Sequence, residues 1–147
     1  MFKHILVPTD GSKLSQKAAD KAIELAGHFD AKVMALHVYP KFAGSPYGTY
    51  GPAADVLADA HRNYANAEGA RLFATLKKTA DKAGVPFDAI LVENNDVWQQ
   101  IIATARKKNC DLICMASHGR RGVAGLLLGS ETSKVLTHSE LPVLVLR

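Results

Sequence analysis

The chain has 147 residues, of which 48% are hydrophobic and 22% charged, with a net charge of +4 and a pI of about 9.1. This length and balance predict a single globular domain over residues 1–147, and they exclude two ordinary domains or a disordered chain. No apolar run approaches the ~20 residues of a membrane span, and the N-terminus MFKHILVPTD lacks the apolar core of a signal peptide. We therefore expect a cytoplasmic protein without membrane contact.

The positive charge and the two cysteines do not indicate a particular chemistry. Basic residues are scattered apart from clusters at 106–108 and 120–121, and the aromatic residues, 7% of the chain, are not interleaved with them. We therefore do not infer nucleic-acid binding. Cys110 and Cys114 have a spacing that places them on one face of a strand, too far apart for a disulfide.

The first part of the chain predicts a strand, a helix and a second strand. Residues 4–7 (HILV) form an apolar run that ends at the turn PTDG, which is typical of a buried strand. A helix follows, capped by Ser12 or Ser15, with apolar residues at three-to-four spacing as far as Phe29. Residues 32–38 (KVMALHV) predict the second strand.

A loop and a long helix come next. Residues 39–52 (YPKFAGSPYGTYGP) predict a loop, either mobile or a lid, because so many glycines, prolines and tyrosines do not fit a regular element. The helix, over 53–82, carries two apolar stripes that differ in phase, so it either bends or changes its buried face. The early stripe is Leu57, Ala60, Tyr64 and Ala67, and the later stripe is Leu72, Leu76, Ala80 and Ala83.

The second half continues the alternation. Residues 85–93 predict a third strand with Pro86 at its start, and an amphipathic helix begins near Val97. A fourth strand over 110–116, a short helix over 130–138 and a fifth strand over 142–146 follow. Apolar strands that alternate with helices predict an α/β fold, an open doubly wound five-stranded parallel sheet with helices on both faces, which is a Rossmann-like arrangement.

Polar, turn-rich segments follow three of the predicted strands, at the carboxyl ends where such sheets bind ligands. They are residues 8–11 (PTDG), the tyrosine-rich loop, and residues 117–121 (SHGRR). The common nucleotide motifs GxGxxG and GxxxxGK[ST] are absent. A phosphate site would therefore have to use the loop after the fourth strand.

Gly129-Ser130 stands at the predicted start of a helix, with Thr132 in the first turn. Glycines let a backbone approach an anion, and the free N–H groups of a helix N-terminus point at it. From Gly129-Ser130 alone, a phosphate site and a plain N-cap with a glycine hinge are equally good interpretations. Gly119 and the pair Arg120-Arg121 favour phosphate.

At these motifs the chain resembles the universal stress protein family, single-domain members of the adenine-nucleotide alpha-hydrolase-like superfamily. The resemblance covers essentially the whole chain, through HILVPTDGS, ALHVY, DLICMASHGRRG and LLLGSETSKVLTHSELPVLVLR. ATP-binding members carry glycine, two residues, glycine, nine residues, then glycine followed by serine or threonine. Gly119, residues 120–128 and Gly129-Ser130 fit this spacing, and Ala116 replaces the first glycine.

The resemblance implies strand order 3-2-1-4-5 and a site for ATP, AMP or another adenine nucleotide, with Mg²⁺ accompanying ATP. It implies that Asp10 accepts a hydrogen bond from a ribose hydroxyl and that Val38 meets the adenine edge through its backbone. The other residues on the adenosine side are Pro8, Thr9 and Met115, which packs on the base. The residues that it places at the phosphates or in their loop are Ala116, His118, Gly119, Arg120, Gly129, Ser130, Glu131 and Thr132.

We expect a stress-response protein that acts as a nucleotide-dependent switch in a homodimer, paired through the apolar edge strand 142–146. We expect no efficient turnover, because Asp10 or Ser130 offers a contact for Mg²⁺ but no general base is evident. Two alternatives stay open. One is a slow ATPase or autophosphorylating protein with Ser130 or Thr132 as acceptor, and the other is a nucleotide-free interaction protein in which Ala116 has disabled the pocket. The sequence names no protein partner.

Overall fold

A computed structural model describes residues 1–44, 51–119 and 128–147. Arg120, Arg121, Tyr47 and Tyr50, which entered the sequence analysis, lie outside the described residues. Helices and strands alternate in the order β1 (His4–Pro8), α1 (Lys13–Phe29), β2 (Lys32–Tyr39), α2 (Pro52–Ala83), β3 (Phe87–Glu93), α3 (Val97–Lys107), β4 (Leu112–Ala116), α4 (Ser130–His138) and β5 (Val143–Leu146).

The five strands form one parallel sheet in the order β3-β2-β1-β4-β5, which confirms the predicted fold class and strand order. His4 of β1 aligns with Lys32 of β2, and Ile5 aligns with Leu112 of β4. All carboxyl ends therefore lie along one edge of the sheet. The order reverses between β1 and β4, so the loops after these two strands open next to each other.

Helices cover both faces of the sheet, and each face has its own apolar cluster. Alternate residues of the strands, such as Val7 and Cys114, pack with α1 and α2. Their neighbours in sequence, such as Leu6 and Met115, pack with α3 and α4. This period of two explains why the strands read as continuous apolar runs.

The long helix α2 is continuous and buries only one of its two stripes. It begins with Pro52 in the first turn and ends at Gly84, whose φ of 67° suits glycine. From the later stripe Leu76 and Ala80 are buried, whereas every member of the early stripe is exposed. The buried face stays the same along the helix, because Ala65 and Gly69 are buried in phase with Leu76 and Ala80, so the expected bend or change of buried face does not occur.

Two strands begin two residues later than predicted, because the chain first completes the preceding helix, and β5 begins one residue later, at Val143. The N–H of Val85 donates to the carbonyl of Ala80 (2.9 Å), so β3 begins at Phe87 rather than at 85. The N–H of Cys110 donates to the carbonyl of Ala105 (2.9 Å), and β4 begins two residues later. Within the part of the chain that the structure describes, no helix is long and apolar enough to cross a membrane.

Both cysteines are buried and free. Burial raises the pKa of Cys110 to about 11 and that of Cys114 to about 12. A thiol reacts as the thiolate, so neither side chain is poised for redox or nucleophilic chemistry.

Candidate functional site

The candidate site lies at the carboxyl edge of the sheet, where the loops after β1 and β4 meet the start of α4. Residues 8–10, 115–119 and 129–132 all reach this edge, as does Val38 near the end of β2. The structure therefore brings together the described residues that the sequence singled out. Arg120 is outside the described residues.

Thr9 fixes the loop after β1 to the neighbouring elements. It is buried; its N–H donates to the carbonyl of Leu36 (2.9 Å), and its hydroxyl lies 3.1 Å from that of Ser15. Its carbonyl accepts a hydrogen bond from Nδ1 of His37 (2.8 Å), which is itself buried. Sequence reasoning missed the part played by His37. Because neighbouring residues of a strand point to opposite faces, the sequence could have predicted that His37 lies on the face of β2 opposite to Val38, under the loop after β1.

Asp10 and Gly119 bring the two loops into contact. One carboxylate oxygen of Asp10 accepts a hydrogen bond from the N–H of Ser12 (3.0 Å), the N-cap residue of α1. The other oxygen lies so close to Gly119 that a Cβ at this position would overlap it. A Cβ at position 119 would therefore force the Asp10 carboxylate to move away from the backbone after β4.

Gly129 also packs closely, in this case against the end of β4. Its N–H donates to the carbonyl of Ser117 (2.7 Å), and the N–H of Ser117 donates to the carbonyl of Leu146 (2.7 Å). A Cβ on Gly129 would lie 3.1 Å from Cα of His118. The Ser117 hydroxyl and Nδ1 of His118 are 3.2 Å apart. The start of α4 is thus held directly against the loop that carries His118.

The first turn of α4 separates the three polar side chains that the sequence grouped together. Ser130 is exposed. The hydroxyl of Thr132 is buried and donates to the carbonyl of Ala116 (3.0 Å). The carboxylate of Glu131 accepts from the N–H of Trp98 (2.9 Å), at the start of α3. Thr132 and Glu131 therefore anchor α4, while Ser130 is free to face a ligand.

The apolar residues of the site are largely enclosed. Met115 is 5% and Ala116 is 7% exposed, and Met115 packs in the cluster under α3 and α4. Val38 is partly buried and packs against the same cluster, and Pro8 at the end of β1 is partly buried too. A flat base at this edge would rest on the rim of this cluster.

The site combines hydrogen-bond donors, which suit an anionic group of a ligand, with a carboxylate acceptor, which suits its hydroxyl groups. The N-cap of α4 is Gly129, which has no side chain to accept hydrogen bonds from the N–H groups of the first turn, and these groups lie at the positive end of the helix dipole. Asp10 supplies a carboxylate that accepts hydrogen bonds. Among the described residues there is no cluster of three or more metal-binding side chains, so a divalent cation here would depend on ligand oxygens as well.

The whole chain, residues 1–147, matches the family model described as the universal stress protein family. It is similar to the universal stress protein MJ0531 of Methanocaldococcus jannaschii, with 34% identity over 150 residues that cover 100% of this chain and 83% of that protein.

Two solved structures are similar over nearly the full length of both chains. The structure of protein MJ0577 of the same organism has a TM-score of 0.80 and 27% identity, covering 99% of this chain and 96% of that one. A universal stress protein in complex with cAMP has a TM-score of 0.71 and 27% identity, covering 99% and 97%.

Proposed function

This chain belongs to the universal stress protein family, and on that premise we propose that it binds an adenine nucleotide at the carboxyl edge of β1 and β4. The observation that carries the proposal is the contact of Asp10 with the backbone at Gly119, directly beside the open N-terminus of α4. A ribose needs a hydrogen-bond acceptor and a phosphate needs N–H donors, and both lie at this edge. The relative in complex with cAMP supports the same ligand class.

Within this proposal, different residues contact the ribose, the base and the phosphates of the nucleotide. Asp10 accepts from a ribose hydroxyl, and Val38 and Met115 border the base. The N–H groups that follow Gly129 hold the phosphates, with the exposed hydroxyl of Ser130 as a further donor. With ATP, Asp10 or Ser130 would supply a protein ligand to a Mg²⁺ ion bound to the phosphates.

The larger role that we propose is a stress-response switch in the cytoplasm. Binding would change the loops beside β1 and β4, and a homodimer paired along β5 would present that change to a partner. Efficient hydrolysis is not part of the proposal, because the described site offers no residue positioned as a general base for a water. ATP is the first nucleotide to test, with AMP and cAMP beside it.

The test is calorimetric titration of the purified chain with ATP, AMP and cAMP, and of Gly119→Val with the nucleotide that binds. We expect micromolar affinity, about 8 kcal/mol, and at least a tenfold loss in the variant, because any Cβ at 119 displaces the Asp10 carboxylate. The control is Gly27→Ala on α1, where a Cβ would meet only Val85, at 3.7 Å. Unchanged affinity in Gly119→Val would contradict the placement of the site.

A further inference from the structure

The N-terminal half of α2 extends beyond the sheet. The helix runs from Pro52 to Ala83, about 48 Å at 1.5 Å per residue, whereas β2 spans about 26 Å. His61 marks the edge, because its Nε2 lies 2.8 Å from the carbonyl of Pro40, just after β2. Residue 65 is the first buried residue of the helix, so the turns before His61 contain no fully buried residue.

The N-terminal half of α2 carries an exposed apolar stripe. It consists of the early stripe described above, extended by Ala53 and Val56. Val56 is 68%, Leu57 44% and Tyr64 70% exposed, and they are three of the six exposed large apolar side chains among the described residues. At 100° per residue the stripe fills an arc of about 100°, turned away from the face that α2 buries. The full stripe is Ala53, Val56, Leu57, Ala60, Tyr64 and Ala67, all exposed.

The pattern of the stripe is nearly symmetric about Ala60. Ala53 and Ala67 lie seven residues to either side of it, and Val56 and Tyr64 lie four residues to either side. An identical helix placed antiparallel, about a two-fold axis at Ala60, would set Ala53 against Ala67 and Val56 against Tyr64. Small residues would then face each other at the ends, and a large ring would lie beside the smaller valine.

Charge selects the antiparallel arrangement. The stripe itself carries no charged residue, so self-pairing buries no charge. Beyond Ala67 the same face becomes basic, with Arg71, Lys78 and Lys82 all exposed. Parallel helices would bring these cations together, whereas antiparallel helices keep them at opposite ends.

We propose that this stripe is a self-association surface, on which the same stripe of a second copy of the chain packs antiparallel about Ala60. Two such patches would bury on the order of 1,000 Å², the lower bound for a specific interface. The contact is therefore weak and depends on protein concentration. It shares no residue with the nucleotide site or with the β5 edge, so it stands or fails independently of the proposed function.

The test is disulfide cross-linking of the full chain carrying Ala60→Cys, under mild oxidation. The native thiols do not interfere, because Cys110 and Cys114 are buried. A disulfide needs Cα atoms within about 7 Å, which the axis at Ala60 allows. The matched control is Lys78→Cys, on the same exposed face but about 54 Å from its counterpart in the antiparallel pair.

We expect a covalent dimer for Ala60→Cys and none for Lys78→Cys, and we expect Tyr64→Lys to lower the mass seen by sedimentation at high concentration. All three positions are exposed, so these variants should fold. Cross-linking in both cysteine variants, or in neither, would overturn the proposal. A monomeric Ala60→Cys variant whose introduced thiol reacts slowly with a maleimide would also overturn it, because the stripe would then be covered by something other than a second copy.

Discussion

At the scale of the residue, His4 combines burial with an unmet hydrogen-bonding nitrogen. It is 5% exposed, and its Nε2 has no hydrogen-bond partner within the described parts of the chain. Burial, and then the nearby charge of Lys32, lower the pKa of His4 below its ordinary value. As the pH falls below about 6.5, the unfolded chain takes up a proton that the folded chain resists, so the free energy of unfolding decreases.

We therefore expect His4→Leu to lose less stability than the parent chain between pH 8 and pH 5.5. At pH 8 the variant should be equally stable or more stable, because it removes a buried polar atom without a partner. Urea unfolding at the two pH values measures the effect. His28→Leu, on the exposed side of α1, is the control for removing an imidazole. An equal loss of stability in His4→Leu and the parent would rule out this role for His4.

The sequence could predict which residues reach the site, but it could not predict which way all their side chains point. Asp10 and Gly119 were assigned to the same edge because they follow the first and the fourth predicted strand, and they lie close together. Thr132 and Glu131 instead use their side chains inside the protein, on Ala116 and at the start of α3. Their directions depend on how α4 packs against β4 and α3, and local spacing does not report these long-range contacts.

At the scale of the element, the glycines inside two helices differ in what surrounds them. A Cβ on Gly27 of α1 would meet only Val85 at 3.7 Å, whereas a Cβ on Gly69 of α2 would lie 3.2 Å from Cδ1 of Leu91. Alanine gains roughly 0.5–1 kcal/mol over glycine in a helix interior. We expect Gly27→Ala to raise the free energy of unfolding by about 0.5 kcal/mol and Gly69→Ala to give no gain or a loss.

Denaturant unfolding of both variants measures the difference, and the shared propensity gain makes each the control for the other. Equal stabilisation by the two substitutions would mean that Leu91 moves aside freely and that α2 is not closely packed on β3 at this point.

Periodicity predicted each helix and strand that the structure describes, but it did not predict details that depend on neighbouring elements. The starts of β3 and β4 moved because Val85 and Cys110 complete the preceding helices. In α2 both stripes have helical spacing, so the pattern alone could not tell which one the sheet covers. The packing of α2 decides this, since its buried residues, such as Ala65 and Gly69, lie on the side of the helix opposite to the early stripe.

At the scale of the whole molecule, β5 is an edge of the sheet. It pairs with β4 on one side, and Leu144 is 37% exposed. An apolar edge strand tends to pair with another chain, and lysine is the residue that discourages this pairing. We propose a homodimer paired along β5, and we therefore expect Leu144→Lys to convert that dimer to a monomer in sedimentation velocity, with an unchanged circular dichroism spectrum. A mass that stays the same at micromolar concentration would exclude β5 as the dimer surface.

Binding of a nucleotide at the carboxyl edge of the sheet is the central proposal, and an amide NMR titration with ATP and cAMP tests it most directly. The 15.8 kDa chain suits the method. We predict that shifts concentrate at residues 8–11, 115–119 and 128–132, with little change at the opposite edge around Lys3 and Asp111. No shifts with either nucleotide, or shifts centred on that opposite edge, would contradict the site that we propose.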